Sequence, residues 1–371
     1  MKRHSFCERE NCLFFLLTVV LLVSCRKPPS EDKGQPSATS NDTSARYGYV
    51  DAAGKIAIAP QFDYAYSFSE ELAVVEMGKQ YFYINKVGKV ILGPFKDASD
   101  FSHGLARVKI VDKYGYIDKT GKTVIQPQFD DASDFKDGLA CVKLGDKKGY
   151  IDTTGVWVIE HHFEWATSFD EGLAGIRANG KWGYIDKKGD IVIDPQFDEA
   201  RGFSEGLAHV RNREGLVYID KSGRTAVKSE LDDIVSHKFS EGLTKVVSPG
   251  HALQTVKDGK WVTVSATGDK YGYMNTKGEV VISPQFEFAG DFSEGLACVK
   301  IGGKYGFVDK VGSVVIEAQF EDVFDGEFSE GMVAVKHSGK WGFIDKAGKF
   351  VVEPQFDWVG RFREGMAVVK K

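Results

Sequence analysis

Gly180-Lys-Trp-Gly-Tyr-Ile-Asp-Lys-Lys-Gly-Asp-Ile-Val-Ile-Asp-Pro-Gln-Phe-Asp-Glu-Ala-Arg-Gly-Phe-Ser-Glu-Gly-Leu-Ala-His-Val-Arg211 is the stretch that decides the fold. It holds three short runs rich in aromatic and β-branched residues, and turn residues separate them, which reads as three strands. The first two runs predict a hairpin. Asp186 and Gly189, like Asp118 and Gly121 in an earlier copy, stand where a type I turn followed by a left-handed residue needs a side-chain acceptor and a glycine. The apolar run Ile191-Val-Ile193 predicts a strand buried on both faces and stopped by Pro195. In the third run, Leu207 to Val210, alternation turns Ala and Val inward and leaves His209, with its equivalents Arg107, Cys141, Gly175, Lys245 and Cys298, on a variable face.

The pattern recurs on both sides. Tyr184 has counterparts at Tyr49, Tyr83, Tyr116, Tyr150, Tyr218, Tyr273, Phe307 and Phe343, so nine copies are present. The turn acceptor recurs as Asp51, Asp118, Asp152, Asp186, Asp220, Asp309 and Asp345, with Asn85 and Asn275 in two copies. One Asp per turn reads as a turn former rather than a calcium ladder. The Phe of Gln-Phe (Phe129, Phe197 and others) and the Phe before Ser-Glu-Gly (Phe101, Phe203 and others) are predicted to pack the core. The sixth copy is degenerate: Leu216-Val-Tyr replaces Trp-Gly-Tyr, and an insertion at 248–269 carries Gly259-Lys-Trp261-Val, which imitates the start of a copy and predicts an extra hairpin. The array thus reads as copies one to six over 46–247 and seven to nine over 270–371.

These copies resemble the WG-repeat family, named for the pair seen here as Trp182-Gly183 and Trp341-Gly342, and the resemblance covers 47–371. It implies an architecture, no shared activity and no cofactor. One three-stranded unit cannot bury its apolar face alone, so neighbours must stack. The predicted fold is all-β: tandem three-stranded β repeats stacked as an open, twisted β-hairpin solenoid, with a closed propeller-like ring as the alternative. Propeller blades usually have four strands and number four to eight. The array also starts in a first strand and ends on a third, at Ala367-Val-Val369, so no blade is visibly shared between the termini.

Upstream, Lys2 and Arg3 precede the apolar run Leu13 to Val23, too short to span a bilayer at about 20 residues. It reads as an export signal over 1–24. Leu22-Val-Ser-Cys25 resembles the lipobox of bacterial lipoproteins, which implies lipid attachment at Cys25, membrane anchoring through that lipid and, with Arg26 rather than Asp next, the outer membrane where the organism has one. Residues 25–45 then form a polar tether with no apolar residue larger than Ala or Pro after Cys25.

Chemistry is sparse. The net charge of −5 and the absence of a basic stripe argue against nucleic acid. Five cysteines, of which only Cys141 and Cys298 lie in the repeats, exclude a disulfide framework. His161-His162 are adjacent, and on a strand they face opposite ways, so no metal site is expected. No phosphate loop or nucleophile elbow appears, and a catalytic residue would not need copying in every Ser-Glu-Gly; no enzyme is expected.

Surfaces remain. Tyr114, Trp182, Tyr271, Tyr305 and Trp341 share one repeat position beside a Gly, with Trp261 in the insertion, and their spacing resembles choline- and glucan-binding hairpin repeats. Lys148 and Gln80 take that place in two copies. The rings either pack repeat on repeat or bind a ligand. The expected function is a non-enzymatic, lipid-anchored scaffold of the cell envelope that binds protein, the alternative being a module for cell-wall glycan.

Overall fold

The computed structural model describes residues 46–371 except 214, 228–232, 235–237, 249–251, 258–259 and 267. The chain divides into units Met1–Ala38 and Thr39–Lys371, and all described residues lie in the second. The export signal, Cys25 and the tether lie outside the described residues.

The all-β repeat holds, but each repeat supplies four strands rather than three. The additional strand lies between Gln-Phe and Ser-Glu-Gly, as in Glu199–Ser204. In several copies it is two residues long, as in Asp97–Ala98 and Asp131–Ala132. A bulge between Ala200 and Phe203 breaks its alternation, which is why it reads as turn. Among the described residues the strands form nine four-stranded antiparallel sheets and one separate hairpin.

The ring closes, and the open solenoid is corrected. One sheet is shared between the ends of the array: Trp358–Arg363 and Met366–Lys370 supply two strands, Tyr47–Asp51 and Ile56–Phe62 the other two. The join pairs Tyr47 with Lys370, Tyr49 with Val368 and Asp51 with Met366. Repeat boundaries and sheet boundaries are offset by two strands, so the chain starts on the third strand of a sheet and ends on the second. Pairing the ends satisfies two rows of backbone groups that an open array would leave as edges. The molecule is a nine-bladed β-propeller. We number this shared sheet blade 1, with blade 2 starting at Tyr64–Ser69 and blade 9 at Asp322–Val323.

The core is nine cores, one per junction. Tyr184, Ile193 and Phe197 of blade 5 pack on Phe203, Ala208 and Val217 of blade 6, and equivalent sets recur at the other junctions. Each buried apolar side chain contributes roughly 1.5–3 kcal/mol, as an upper estimate. The recurrent Tyr is fully buried and ties blade to blade, since Tyr184 donates its hydroxyl to the Arg201 carbonyl at 2.6 Å. The position of His209 is variable in type but not exposed: His209, Cys141 and Cys298 are all buried between blades, the last two as free thiols.

The apolar run is an outer strand with one face open: Ile193 is buried, while Ile191 is 58% and Val192 42% exposed. Pro195 does not stop it, for the strand continues to Phe197. An edge strand tolerates a residue with no N–H, and Pro there also blunts pairing with a foreign strand. The glycine of the Trp-Gly pair serves the approach of this strand. A Cβ on Gly183 would lie 2.5 Å from the Ile193 carbonyl oxygen and 2.6 Å from the Pro195 nitrogen. In blade 6 Val217 stands in its place, and the described part of the fourth strand is Thr225–Val227.

Candidate functional site

The recurrent turn residues are structural clasps. Each turn acceptor, Asp186 for example, takes two backbone N–H bonds within its own hairpin, at 2.8 and 3.0 Å from Lys188 and Asp190. Ser-Glu-Gly works between blades. Ser329 donates to the Phe362 carbonyl of the next blade at 2.8 Å, as Ser69 does to Phe101 at 2.8 Å. Glu330 accepts the Gly365 N–H at 2.9 Å, and Glu364 accepts the Glu71 N–H at 3.0 Å, which carries the clasp across the join. Lysines of the neighbouring hairpin reinforce several of these, as Lys119 does Glu70 and Lys346 does Glu294. Burial opposes ionisation of Glu70 and Glu294, yet the lysine and the glycine amide hold both carboxyls below the usual carboxylate range.

The aromatic position lies at the end of the blades where the second strand turns into the third. Tyr114, Trp182, Tyr271 and Tyr305 are half-buried and Trp341 is buried. They face the next blade, as Trp182 packs with Ala200 and Phe203. Lys109 lies over the Tyr114 ring at 4.9 Å and Lys300 over Tyr305 at 5.0 Å. Register places Tyr81, not Gln80, in this row, and adds Tyr47. The insertion forms its hairpin, Ala252–Lys257 with Lys260–Ala266, and the side chain of Trp261 lies outside the described residues.

Strand pairing reveals an aromatic the sequence did not single out. Trp165 pairs with Arg177, Arg177 with Trp182 and Trp182 with Phe197, so blade 5 carries a Trp-Arg-Trp row. Trp165 is 55% exposed. It occupies the place held by Asp97, Asp131, Glu199 or Asp322 in four other blades and by Tyr64, Phe288 or Trp358 in three more. An aromatic replacing an acid at that place was the available signal.

The first strands converge on the axis, where Ser69, Asp100, Asp134, Ser168 and Arg363, from five blades, line a cavity of about 580 Å³ with Phe101 and Phe135. The residue before the recurrent Phe sets the charge of this wall. In blades 7, 8, 9 and 1 it is Lys238, Asp291, Glu327 and Arg361, and opposite charges meet: Lys245 and Lys238 lie 2.8 and 3.7 Å from Asp291, and Arg361 lies 2.6 Å from Asp325 and 3.1 Å from Glu327. In blades 2 to 5 it is Ser67, Asp100, Asp134 and Ser168. Two like charges are neighbours there and cannot pair. Burial pushes the Asp100 carboxyl up to about 6, with Arg363 pulling it down and Asp134 adding to the rise.

Comparison with known proteins yields the family. A search of curated proteins finds no match. Among solved structures the chain is similar to one titled as the eukaryotic initiation factor (12% identity, 82% of this chain and 94% of that chain, TM-score 0.47). It is also similar to Kluyveromyces lactis Hsv2p (11%, 66% and 91%, 0.38) and to dihydro-heme d1 dehydrogenase NirN in complex with DHE (13%, 82% and 76%, 0.37). At these values none of them bears on function. The model of the WG containing repeat matches at 47–81, 81–114, 114–147, 149–182, 182–214, 271–305, 305–341 and 341–371, passing over the degenerate sixth copy and its insertion. Matched over most of its length, the chain belongs to the WG containing repeat family.

Proposed function

We propose that the protein is a non-enzymatic scaffold of the cell envelope, anchored by lipid on Cys25, that binds a protein partner through one face of the propeller. What supports the reading is a coincidence of place. The inserted hairpin joins the second strand of blade 7 to the third, the aromatic row lies at that same end of the blades, and the chain enters the ring there at Arg46. A loop that departs from a periodic scaffold is a common seat of specificity. The test uses the full chain as bait in envelope extract beside a variant lacking 248–269. A protein enriched with the first and lost with the second supports the scaffold; equal recovery on both sinks the hairpin as its specificity element. Membrane fractionation of Cys25→Ser tests the anchor, which fails if the variant stays in the membrane.

The second reading, a cell-wall glycan module, is favoured by one observation, the exposed Trp165 beside Arg177 and Trp182. Sugar rings stack on such faces. Loss of retention on purified peptidoglycan by Trp165→Ala, with Tm unchanged, would support it.

A further inference from the structure

We propose that the axial cavity of blades 1 to 5 binds a small zwitterion, a molecule with an ammonium and a carboxylate on one short frame, as in a free amino acid. The site is separate from the face of the scaffold reading and does not depend on it. About 580 Å³ suits a small molecule rather than a chain or a lone ion.

The walls exclude simpler ligands. A cation alone would meet Arg363 and Arg107, both in the lining. An anion alone would meet Asp100 and Asp134. Lys136, also in the lining, is already held by Asp170 of the next blade. Arg107 is tied down too, donating to the Ala132 carbonyl at 2.7 Å and lying 5.2 Å from the Tyr114 ring centre. What is left for a ligand is the Asp100 and Asp134 carboxylates, Arg363 and the Nε–H of Arg107, which is buried without a partner. Among the described residues neither Asp100 nor Arg363 has a side-chain hydrogen bond or ion pair, whereas Lys238, Asp291 and Glu327 of blades 7 to 9 each have one.

The hydroxyls fix the polarity. Ser69 donates its proton to the Phe101 carbonyl at 2.8 Å, and Ser102 donates to Phe135 at 3.0 Å with His103 Nδ1 also 3.0 Å away, so each hydroxyl in the lining is left to act as an acceptor. Acceptors from Ser69, Ser102 and Asp100 suit the three donors of an ammonium. The guanidinium of Arg363 suits a carboxylate, which it engages with two parallel N–H bonds. Phe101 and Phe135 border the cavity while their rings pack into the junction cores.

Titration calorimetry of the purified full chain with L-alanine, ethylamine and propionate tests this. Alanine should bind at least about tenfold more tightly than either half-molecule, since each lacks one charge contact. Asp100→Asn and Arg363→Gln should each weaken alanine about tenfold or more, and Lys188→Ala, on an outlying hairpin, should leave it unchanged. Thermal melts accompany each variant, so a lost signal with a Tm no lower than that of the wild type is a lost site and not a lost fold. The proposal is overturned if the wild type binds none of the three, if ethylamine equals alanine, or if both cavity variants bind alanine like the wild type.

Discussion

Two stretches of the channel wall are made from the same repeat and treat charge in opposite ways. In blades 7, 8, 9 and 1 the acids of the middle two blades are flanked by bases, and Lys245, Asp291, Asp325, Glu327 and Arg361 close into ion pairs between blades. In blades 2 to 5 two aspartates stand side by side between serines, and a cavity remains. The fold is indifferent to the choice, because the junction cores and the Ser-Glu-Gly clasps hold the ring in either case. One wall is therefore sealed by its own ion pairs, and the other leaves Asp100 and Arg363 without one.

The largest effect is expected where the sealed wall is opened. Arg361→Ala leaves Asp325, whose side chain is only 12% exposed, without its counter-ion. Removing one partner of a buried pair costs about 3–5 kcal/mol, and the part exposure of Arg361 lowers this to about 2–3. Chemical denaturation measures it. A loss below about 0.5 kcal/mol would mean that the two walls are equally solvated and the contrast is only apparent.

On the open wall removal of charge should have the reverse sign. The Asp100 carboxyl, at about 6 against an ordinary 3.8, holds its proton more tightly in the folded chain than in the unfolded one. That contribution is greatest below about pH 4, declines as pH rises to about 6, and is flat above. The rise corresponds to about 3 kcal/mol, reduced to about 2 by the cavity's access to solvent. Asp100→Asn should therefore stabilise the protein by about 2 kcal/mol at pH 7.5 and by nothing at pH 4. Stabilisation of the same size at both pH values would assign the effect to packing instead.

A third measurement asks whether the sealed wall is coupled as well as crowded. The 2.8 Å pair of Lys245 and Asp291, with side chains 21% and 15% exposed, should give a coupling of about 1 kcal/mol in a double-mutant cycle of Lys245→Met and Asp291→Asn. A coupling near zero would make the pair a bystander.

How much of this was readable in the residues follows from how local each feature is. Hairpins, turn acceptors and core phenylalanines depend on neighbours a few positions away, and Asp186, Gly189 and Phe203 announced them. Closure depends on Tyr47–Asp51 meeting Met366–Lys370, and nothing within one repeat records that pairing. The first strand was unreadable because its bulge left only Ala and Phe on a common face. Without it nothing singled out Asp100 and Asp134. Their repeat of sign was in the sequence throughout, but it acquires meaning only when first strands are known to line the axis. The shared register of Tyr114, Trp182, Tyr271, Tyr305 and Trp341 is written in the repeat, while their burial is set by the next blade and not by their own copy.

The smallest expected effect separates the walls through a bond they share. Ser69 and Ser329 make the same clasp at the same 2.8 Å, one beside the cavity and one in the sealed wall. Replacing either with Ala deprives a Phe carbonyl of its donor. A net hydrogen bond is worth about 1 kcal/mol, and more when the orphaned acceptor has no access to water. Beside the cavity a water molecule takes the place of the lost hydroxyl, because the Phe101 backbone borders space large enough to hold one. Ser69→Ala should then cost about 0.5 kcal/mol and Ser329→Ala about 1. Equal losses would show that the clasp does not sense the cavity, and a larger loss at Ser69 would reverse the assignment of which wall is open.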